Sequence, residues 1–385
     1  MKIRPIESFL YNLVKIKKLS DRRDRRLESL EKASVKNILI ISSTAIGDTL
    51  MSTPAIRTIR KCFPEAHLVA LLNNDNMELF KNNPHIDEIV PYYNGWKKFF
   101  AASAKLKKYS FDAAAILHGN EPQATPLAYL TGARFIVKLP NVSRFSFLLS
   151  NQIPQLTWAD LGHGIRARLR AVSLLGCEAD GLEMELSLDK EAREEAKIFL
   201  RKNKIETQHT LIGLNPGAST LSRQWFPEKF AALGEMIKKA NPDSRIILTG
   251  SPQERELCSK IKGLKGKKNE RVIIAAGSLS LRGTAALIDR LNVFITGDTG
   301  PMHMAYAQKT PVVALYAVSE PEKTGPLSDK NLHRIIKKPK TCEPCVSKKC
   351  TYQKCMEQIS VDEVFSALND ILEKDGKRVL SGDKK

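Results

Sequence analysis

The sequence predicts two tandem α/β domains, each built on a doubly wound parallel sheet. Three observations predict it. Short apolar runs alternate with helix-like stretches over most of the chain. That alternation breaks once, around residues 178–188, and then resumes. At 385 residues the chain is too long for one ordinary α/β core and comfortable for two. The apolar fraction of 42% and charged fraction of 27% are globular values, and no run approaches the roughly 20 consecutive apolar residues of a membrane-spanning helix.

Residues 1–34 come first. They hold ten basic residues against five acids, and Ile6, Leu10, Leu13 and Val14 are spaced to share one helical face. This segment is expected to be a basic amphipathic extension outside the core. It lacks an uninterrupted apolar run followed by a small-residue cleavage site, so it does not read as a secretory signal, and a cytoplasmic protein is expected.

From Val35 the pattern becomes that of a sheet. NILIIS, HLVALL, IDEIVPY, FDAAAIL and ARFIVKL read as strands separated by helices, which defines a first domain over 35–182. A second series, TLIGLNPGAS, RIILTGS, RVIIAAG, VFITGD and PVVALYA, defines a second domain over 183–355. Residues 356–385 read as a helix, with Ser360 and Glu363 in capping-box spacing, that crosses back over the domains and ends in a polar tail. Doubly wound sheets bind ligands at the carboxyl ends of their strands, so a crevice between the two domains is the expected site.

Three strand-to-helix turns carry the chemistry. In ISSTAIGDTLMSTPAIRTIRK, a turn at Gly47 places Asp48 at a strand's carboxyl end beside a helix N-terminus. A carboxylate there can cap the helix or accept a proton, and its position alone favours the cap. In LIGLNPGASTLSRQWFPEKF, Gly217 permits close backbone approach, Ser219 and Thr220 offer hydroxyls and Arg223 offers a cation, a set suited to a diphosphate. Trp225 reads as a packing residue. In VFITGDTGPMHMAYAQK, Gly297, Asp298, Thr299 and Gly300 turn into a helix whose free N–H groups make an anion site, with His303 close by. The three-glycine dinucleotide fingerprint is absent.

Taken together, IGDTLMSTPAIRTIRKCFPEA, NPGAS with RQWFP, LTGSPQERE and ITGDTGPMHMAYAQKTPVVALY resemble the lipopolysaccharide heptosyltransferase family, in that order and over nearly the whole core. The resemblance implies a GT-B fold, two Rossmann-like domains facing across a cleft, with acceptor on the first and nucleotide sugar mainly on the second. It implies ADP-heptose as donor and the phosphorylated inner core on lipid A as acceptor. Matched by position, Asp48 is the general base, beside Gly47. Gly217, Ser219, Thr220, Asp298, Thr299, Gly300 and His303 bind the donor, and Glu254 serves its ribose or adenine side. The family commonly has Lys two residues before the Trp, where this chain has Arg223, and Phe226 separates Trp225 from Pro227. Arg keeps the cation and changes its shape, which leaves donor identity less tightly specified than the fold. The expected reaction inverts the anomeric carbon. It needs no metal, since no DxD motif stands out.

The formal charge of +19 calls for an anionic partner. Lys97, Lys98, Lys105, Lys107 and Lys108 occupy one acid-free segment with Phe99, Phe100 and Leu106, the pattern of a basic helix on a lipid surface or an acidic acceptor. Peripheral association with the inner face of the inner membrane is therefore expected. Nucleic acid is not, because no recognised binding motif with aromatic platforms accompanies the charge. Cys342, Cys345, Cys350 and Cys355, spaced CxxCx4Cx4C, suggest a structural zinc. Two rival functions stand beside the main one: a transferase or epimerase for another nucleotide sugar, and a non-catalytic basic module binding membranes or nucleic acid.

Overall fold

The computed structural model describes residues 5–374 apart from 94, 120–122, 141–143, 152, 158, 265–268 and 346–349, and leaves the side chain of Lys97 undescribed. The final polar tail and the Lys348–Lys349 flank of the cysteine segment lie outside the described residues. The chain divides into two compact units, Met1–Ser187 and Leu188–Lys385. The division falls a few residues beyond the boundary expected at 182.

In the first unit, helix α1 (Pro5–Ser20) precedes strand β1 (Asn37–Ser42). Helices α2 (Ile46–Leu50) and α3 (Thr53–Cys62) then lead to β2 (His67–Asn73) and β3 (Glu88–Tyr92). Next come α4 (Trp96–Leu106), β4 (Ala113–His118), α5 (Ala124–Leu130), β5 (Phe135–Val137) and α6 (Gly164–Ser173). The sheet is parallel in the order β3-β2-β1-β4-β5. Ile38, Leu39, Ile40 and Ile41 are all fully buried. A central parallel strand covered on both faces reads as a continuous apolar run for that reason.

The N-terminal segment is not outside this core, and that expectation is corrected. Leu10 and Val14, one helical turn apart, are buried in the same cluster as Leu39, Val69 and Ile116. Arg25 then fixes the segment. Its guanidinium binds Asp21 and donates to the carbonyls of Ala133 (2.9 Å) and Arg134 (3.0 Å). Arg23 holds the Asp21 carboxyl well below its ordinary value despite the opposing effect of burial, and Arg25 adds to it.

The second unit begins with α7 (Lys190–Lys202) and β6 (Thr210–Asn215), followed by α8 (Pro227–Ala240), β7 (Ser244–Leu248), α9 (Arg255–Gly263) and β8 (Val272–Ile274). It continues with α10 (Leu281–Asp289), β9 (Val293–Gly297), α11 (Gly300–Ala307) and β10 (Val312–Tyr316). Then come α12 (Pro321–Thr324), β11 (Arg334–Lys337), α13 (Lys354–Glu357) and α14 (Val361–Lys374). The parallel order is β11-β10-β9-β6-β7-β8. Strand β11 was not expected; it has four residues at a sheet edge, and only its Ile336 is buried. The final helix buries Val364, Leu368 and Ile371 in the second unit's core beside Trp225 and Phe230.

Each sheet has one point where consecutive connections leave in opposite directions. It lies between β1 and β4 in the first sheet and between β6 and β9 in the second. Strands splay there at their carboxyl ends, and open α/β sheets place ligands at such points.

Candidate functional site

At the switch point of the first sheet the chain leaves β1 and enters a helix almost at once. The turn expected at Gly47 is the start of α2: Ala45 is the N-cap residue and Asp48 the third helical residue. Three side chains meet at its carboxylate. Arg168 of α6 donates through Nη2 to Asp48 Oδ1 at 3.1 Å, and His118, the last residue of β4, places Nε2 3.5 Å from the same oxygen. Thr44 Oγ1 donates to Oδ2 at 3.2 Å and pairs with His118 Nδ1 at 2.7 Å. Asn76, after β2, donates to the Thr44 carbonyl at 2.9 Å.

Arg168 is almost completely buried and spends its other donors on Ser52 Oγ (2.9 Å) and the Gly164 carbonyl (2.8 Å). Burial pulls the guanidinium down from its ordinary value, and Asp48 opposes that pull. The pair is therefore mutual: either charge alone would be left without its counterion at an inner position.

At the switch point of the second sheet, the loops after β6, β7 and β9 come together. Arg223 Nη1 lies 3.4 Å from Asp298 Oδ2, and His303 Nε2 lies 4.0 Å from Asp298 Oδ1. Gly297 must be glycine, because a Cβ there would fall 2.8 Å from the Arg223 carbonyl oxygen. Thr296 and Thr299 hydroxyls pair at 3.0 Å across the turn. Helix α11 follows with Pro301 in its first turn and Thr299 as an N-cap that makes no side-chain cap bond, which leaves amide donors at a positive helix end. A Cβ at Gly217 would collide with the Glu254 carboxylate, so those two residues lie against each other. Glu254 Oε2 also accepts the Ser251 N–H at 2.7 Å. Thr220 pairs with Ser222 at 3.2 Å and Ser219 is exposed. Trp225 is buried, edge-on to Phe230, and donates to the Ile359 carbonyl at 3.1 Å, which is a packing role.

One sheet thus presents a carboxylate held by a cation and a histidine, and the other presents an arginine and a helix N-terminus suited to phosphate. Residues 100–356 match the model of glycosyltransferase family 9 (heptosyltransferase), well over half of the chain. The chain belongs to glycosyltransferase family 9. It is accordingly a glycosyltransferase with the GT-B type of fold. It is 23% identical over 347 residues to the lipooligosaccharide heptosyltransferase 2 of Campylobacter jejuni, covering 87% of this chain and 98% of that one. Among solved structures it is similar to Escherichia coli ADP-heptose LPS heptosyltransferase II, with a TM-score of 0.73 and 21% identity over 88% of this chain and 99% of that one. It is also similar to the E. coli heptosyltransferase WaaC with ADP-2-deoxy-2-fluoro heptose, with a TM-score of 0.63 and 15% identity over 88% of this chain and 99% of that one.

Two expectations for this glycosyltransferase are revised. Two of the three apolar residues of the lysine-rich segment do not face outward: Phe99 and Leu106 of α4 are fully buried in the first unit's core, leaving Phe100, Lys98, Lys105, Lys107 and Lys108 outside. Lys98 lies over the Tyr93 ring, Lys108 over Tyr109, and Lys105 and Lys107 are exposed. The zinc expectation also finds no support. Among the described residues, no three His, Cys, Asp or Glu side chains gather to hold a metal ion. Cys355 is folded into the core at α13, where its sulfur accepts the Thr341 N–H at 3.4 Å, whereas Cys342 is exposed and Cys350 donates to the Tyr352 carbonyl at 3.3 Å.

Sequence reasoning missed Arg168, His118, Thr44 and Asn76. For Arg168 a signal existed. In GIRARLRAVS it falls on the helical face of Ile165, Leu169 and Val172, all buried, while Arg166 and Arg170 are exposed. An arginine on the apolar side of a helix calls for a buried acidic partner. His118 closes a strand at its carboxyl end, the place already singled out for Asp48.

Proposed function

We propose that this glycosyltransferase moves a heptose from ADP-heptose to the inner core of a lipopolysaccharide acceptor, with Asp48 as general base. The observation that carries the reading is Asp48 held by Arg168 and His118 at the switch point of the first sheet, in a chain of the heptosyltransferase family. The similarity to E. coli ADP-heptose LPS heptosyltransferase II and to WaaC with ADP-2-deoxy-2-fluoro heptose supports the donor.

In this scheme the acceptor hydroxyl gives its proton to Asp48 as its oxygen attacks the anomeric carbon from the side opposite the diphosphate. The new carbon–oxygen bond forms as the old one breaks, ADP departs with the electron pair, and the configuration inverts. Negative charge grows on the departing phosphate oxygen. Arg223 and the α11 N-terminus, with Thr299, Gly300 and His303, stabilise it, an electrostatic contribution of the kind that usually dominates such transfers. Ser219 and Thr220 bind the diphosphate. Gly217 and Glu254 lie together on adjacent loops and serve the ribose or adenine side.

The scheme assigns the leaving-group charge to protein donors, without a divalent cation. Transfer that persists at full rate in excess chelator supports this; transfer that requires an added divalent ion argues against it. The acceptor is an anionic glycolipid, which places the protein in the cytoplasm at the inner face of the inner membrane. A donor screen with ADP-heptose, UDP-sugars and GDP-sugars, read by mass spectrometry of the product, tests the whole reading. One added heptose with ADP-heptose alone is expected, and transfer from another donor in preference would replace the assignment.

A further inference from the structure

Helix α1 has two apolar faces, and the core uses only one. Leu10 and Val14 are fully buried against the first unit. On the other side, Phe9 is 60% exposed, Leu13 37%, Ile16 68% and Leu19 83%. Phe9, Leu13 and Ile16 follow the i, i+4, i+7 spacing of a single stripe, with Leu19 continuing it and Asn12 and Ser20 in between. Single exposed apolar residues need no explanation, but four on one side of one helix do.

The stripe has a charged border. Lys17 lies four residues beyond Leu13 and Lys15 four residues before Leu19, so the two residues border the stripe on opposite sides, with the Lys17 ammonium over the Tyr129 ring. Lys15 lies over the Tyr11 ring from one side, and Arg144 from elsewhere in the unit reaches the same ring. Lys107, just beyond α4, is close enough to Lys17 to repel it. The basic segment after α4 and the basic helix α1 therefore contribute to one region of positive charge.

The helix is also fixed in place. Beyond its end, the Asp21–Arg25 pair and the bonds from Arg23 and Arg25 to the carbonyls of Gly132, Ala133 and Arg134 hold the segment to the unit. Its outer face is thus presented without an ordering cost.

We infer that the outer face of α1 docks the protein onto an anionic lipid surface, with Phe9, Leu13, Ile16 and Leu19 entering the interface and Lys15, Lys17 and Lys107 meeting the headgroups. The inference rests on the glycolipid acceptor proposed above, because an enzyme acting on such an acceptor must meet it at a leaflet. Among the described residues no helix is long and apolar enough to cross a membrane. A helix with an apolar stripe edged by lysines lies in the plane of the interface, and its binding combines buried apolar area with attraction to anionic lipid. A second copy of the chain suits this face less well, since pairing two such stripes would bring like-charged borders together.

The test is vesicle flotation of the full chain with phosphatidylglycerol-containing vesicles and with pure phosphatidylcholine vesicles. The variants are a Phe9→Ser/Ile16→Ser pair and a Lys15→Gln/Lys17→Gln pair. The unmodified protein should float with the anionic vesicles and lose binding as salt is raised. The serine pair should weaken that binding by about tenfold or more, the scale of two apolar side chains left in water. The glutamine pair should weaken it less and flatten its salt dependence. All four positions are at or near the surface, and matching thermal melts verify that the variants fold. Transfer to a water-soluble acceptor should be unchanged in every variant, so failure of the docking idea is distinguishable from failure of the proposed reaction. Equal flotation of the unmodified protein and the serine pair would overturn the inference. So would a concentration-dependent dimer that the serine pair abolishes without any vesicle binding, which would assign the face to a second copy.

Discussion

Arg168 and His118 address the same oxygen of Asp48, at 3.1 Å and 3.5 Å. The carboxylate is thus held from the protein side by a buried cation and turned by a ring that is itself bonded to Thr44. This arrangement separates two consequences of changing Asp48, one for stability and one for chemistry.

Replacing Asp48 with Ala leaves the Arg168 guanidinium buried without its counterion. That should cost about 3 kcal/mol of unfolding free energy, the low end for such a loss because Asp48 itself is partly exposed. Adding Arg168→Met removes the stranded charge, so the double variant should recover most of that stability while remaining inactive. Urea unfolding of both variants checks this. A double variant no more stable than the single one would mean that the pair is not coupled.

His118→Gln should lower turnover by about tenfold, less than the roughly hundredfold that a 1 Å misplacement of a catalytic group can cost, and leave donor affinity unchanged. Steady-state kinetics with both substrates reads it. A loss as large as that of Asp48→Asn would move the base assignment to His118.

Arg223→Ala should lower turnover by about a hundredfold, the usual effect of deleting one charge-stabilising donor, and Arg223→Lys should restore part of it. Comparison of kcat and KM for the donor checks the claim. An unchanged dependence on donor concentration with unchanged kcat would remove Arg223 from the phosphate site.

His333 gives a pH prediction. Burial lowers its imidazole from 6.5 to about 4, and its ring packs edge-on to Tyr306 at 4.7 Å. The unfolded chain therefore binds a proton at a pH where the folded chain does not. Its stabilising effect is complete above 6.5 and is lost as pH falls toward 4. Between about pH 7 and about pH 5, the parent protein should lose about 2 kcal/mol more stability than His333→Gln, measured by urea midpoints. Parallel losses in the two proteins would contradict it.

The sheets were legible in the sequence because buried parallel strands leave continuous apolar runs such as NILIIS and VFITG, and all ten expected strands are present. Strand β11 was not, since four residues at an edge carry too little apolar signal. Helix α1 misled the reading in an instructive way. Its apolar residues are split between two faces, and periodicity alone could not say that Leu10 and Val14 enter the core while Leu13 stays outside. The cysteine spacing suggested a shared ligand, but the fold sends Cys355 inward and Cys342 outward. At the site, turns with Gly and Asp announced themselves. The partners of Asp48 did not, because Arg168 is 120 residues away in sequence and only the sheet order brings α6 to the end of β1.

The most direct measurement is the rate at which heptose from ADP-heptose appears on an inner-core acceptor, followed by mass spectrometry for the parent protein and for Asp48→Asn, with ADP binding measured alongside. One heptose added by the parent, a loss of about a hundredfold or more in the variant, and unchanged ADP binding are predicted. A variant that transfers at the parent rate, or a parent that adds no heptose, would contradict the account.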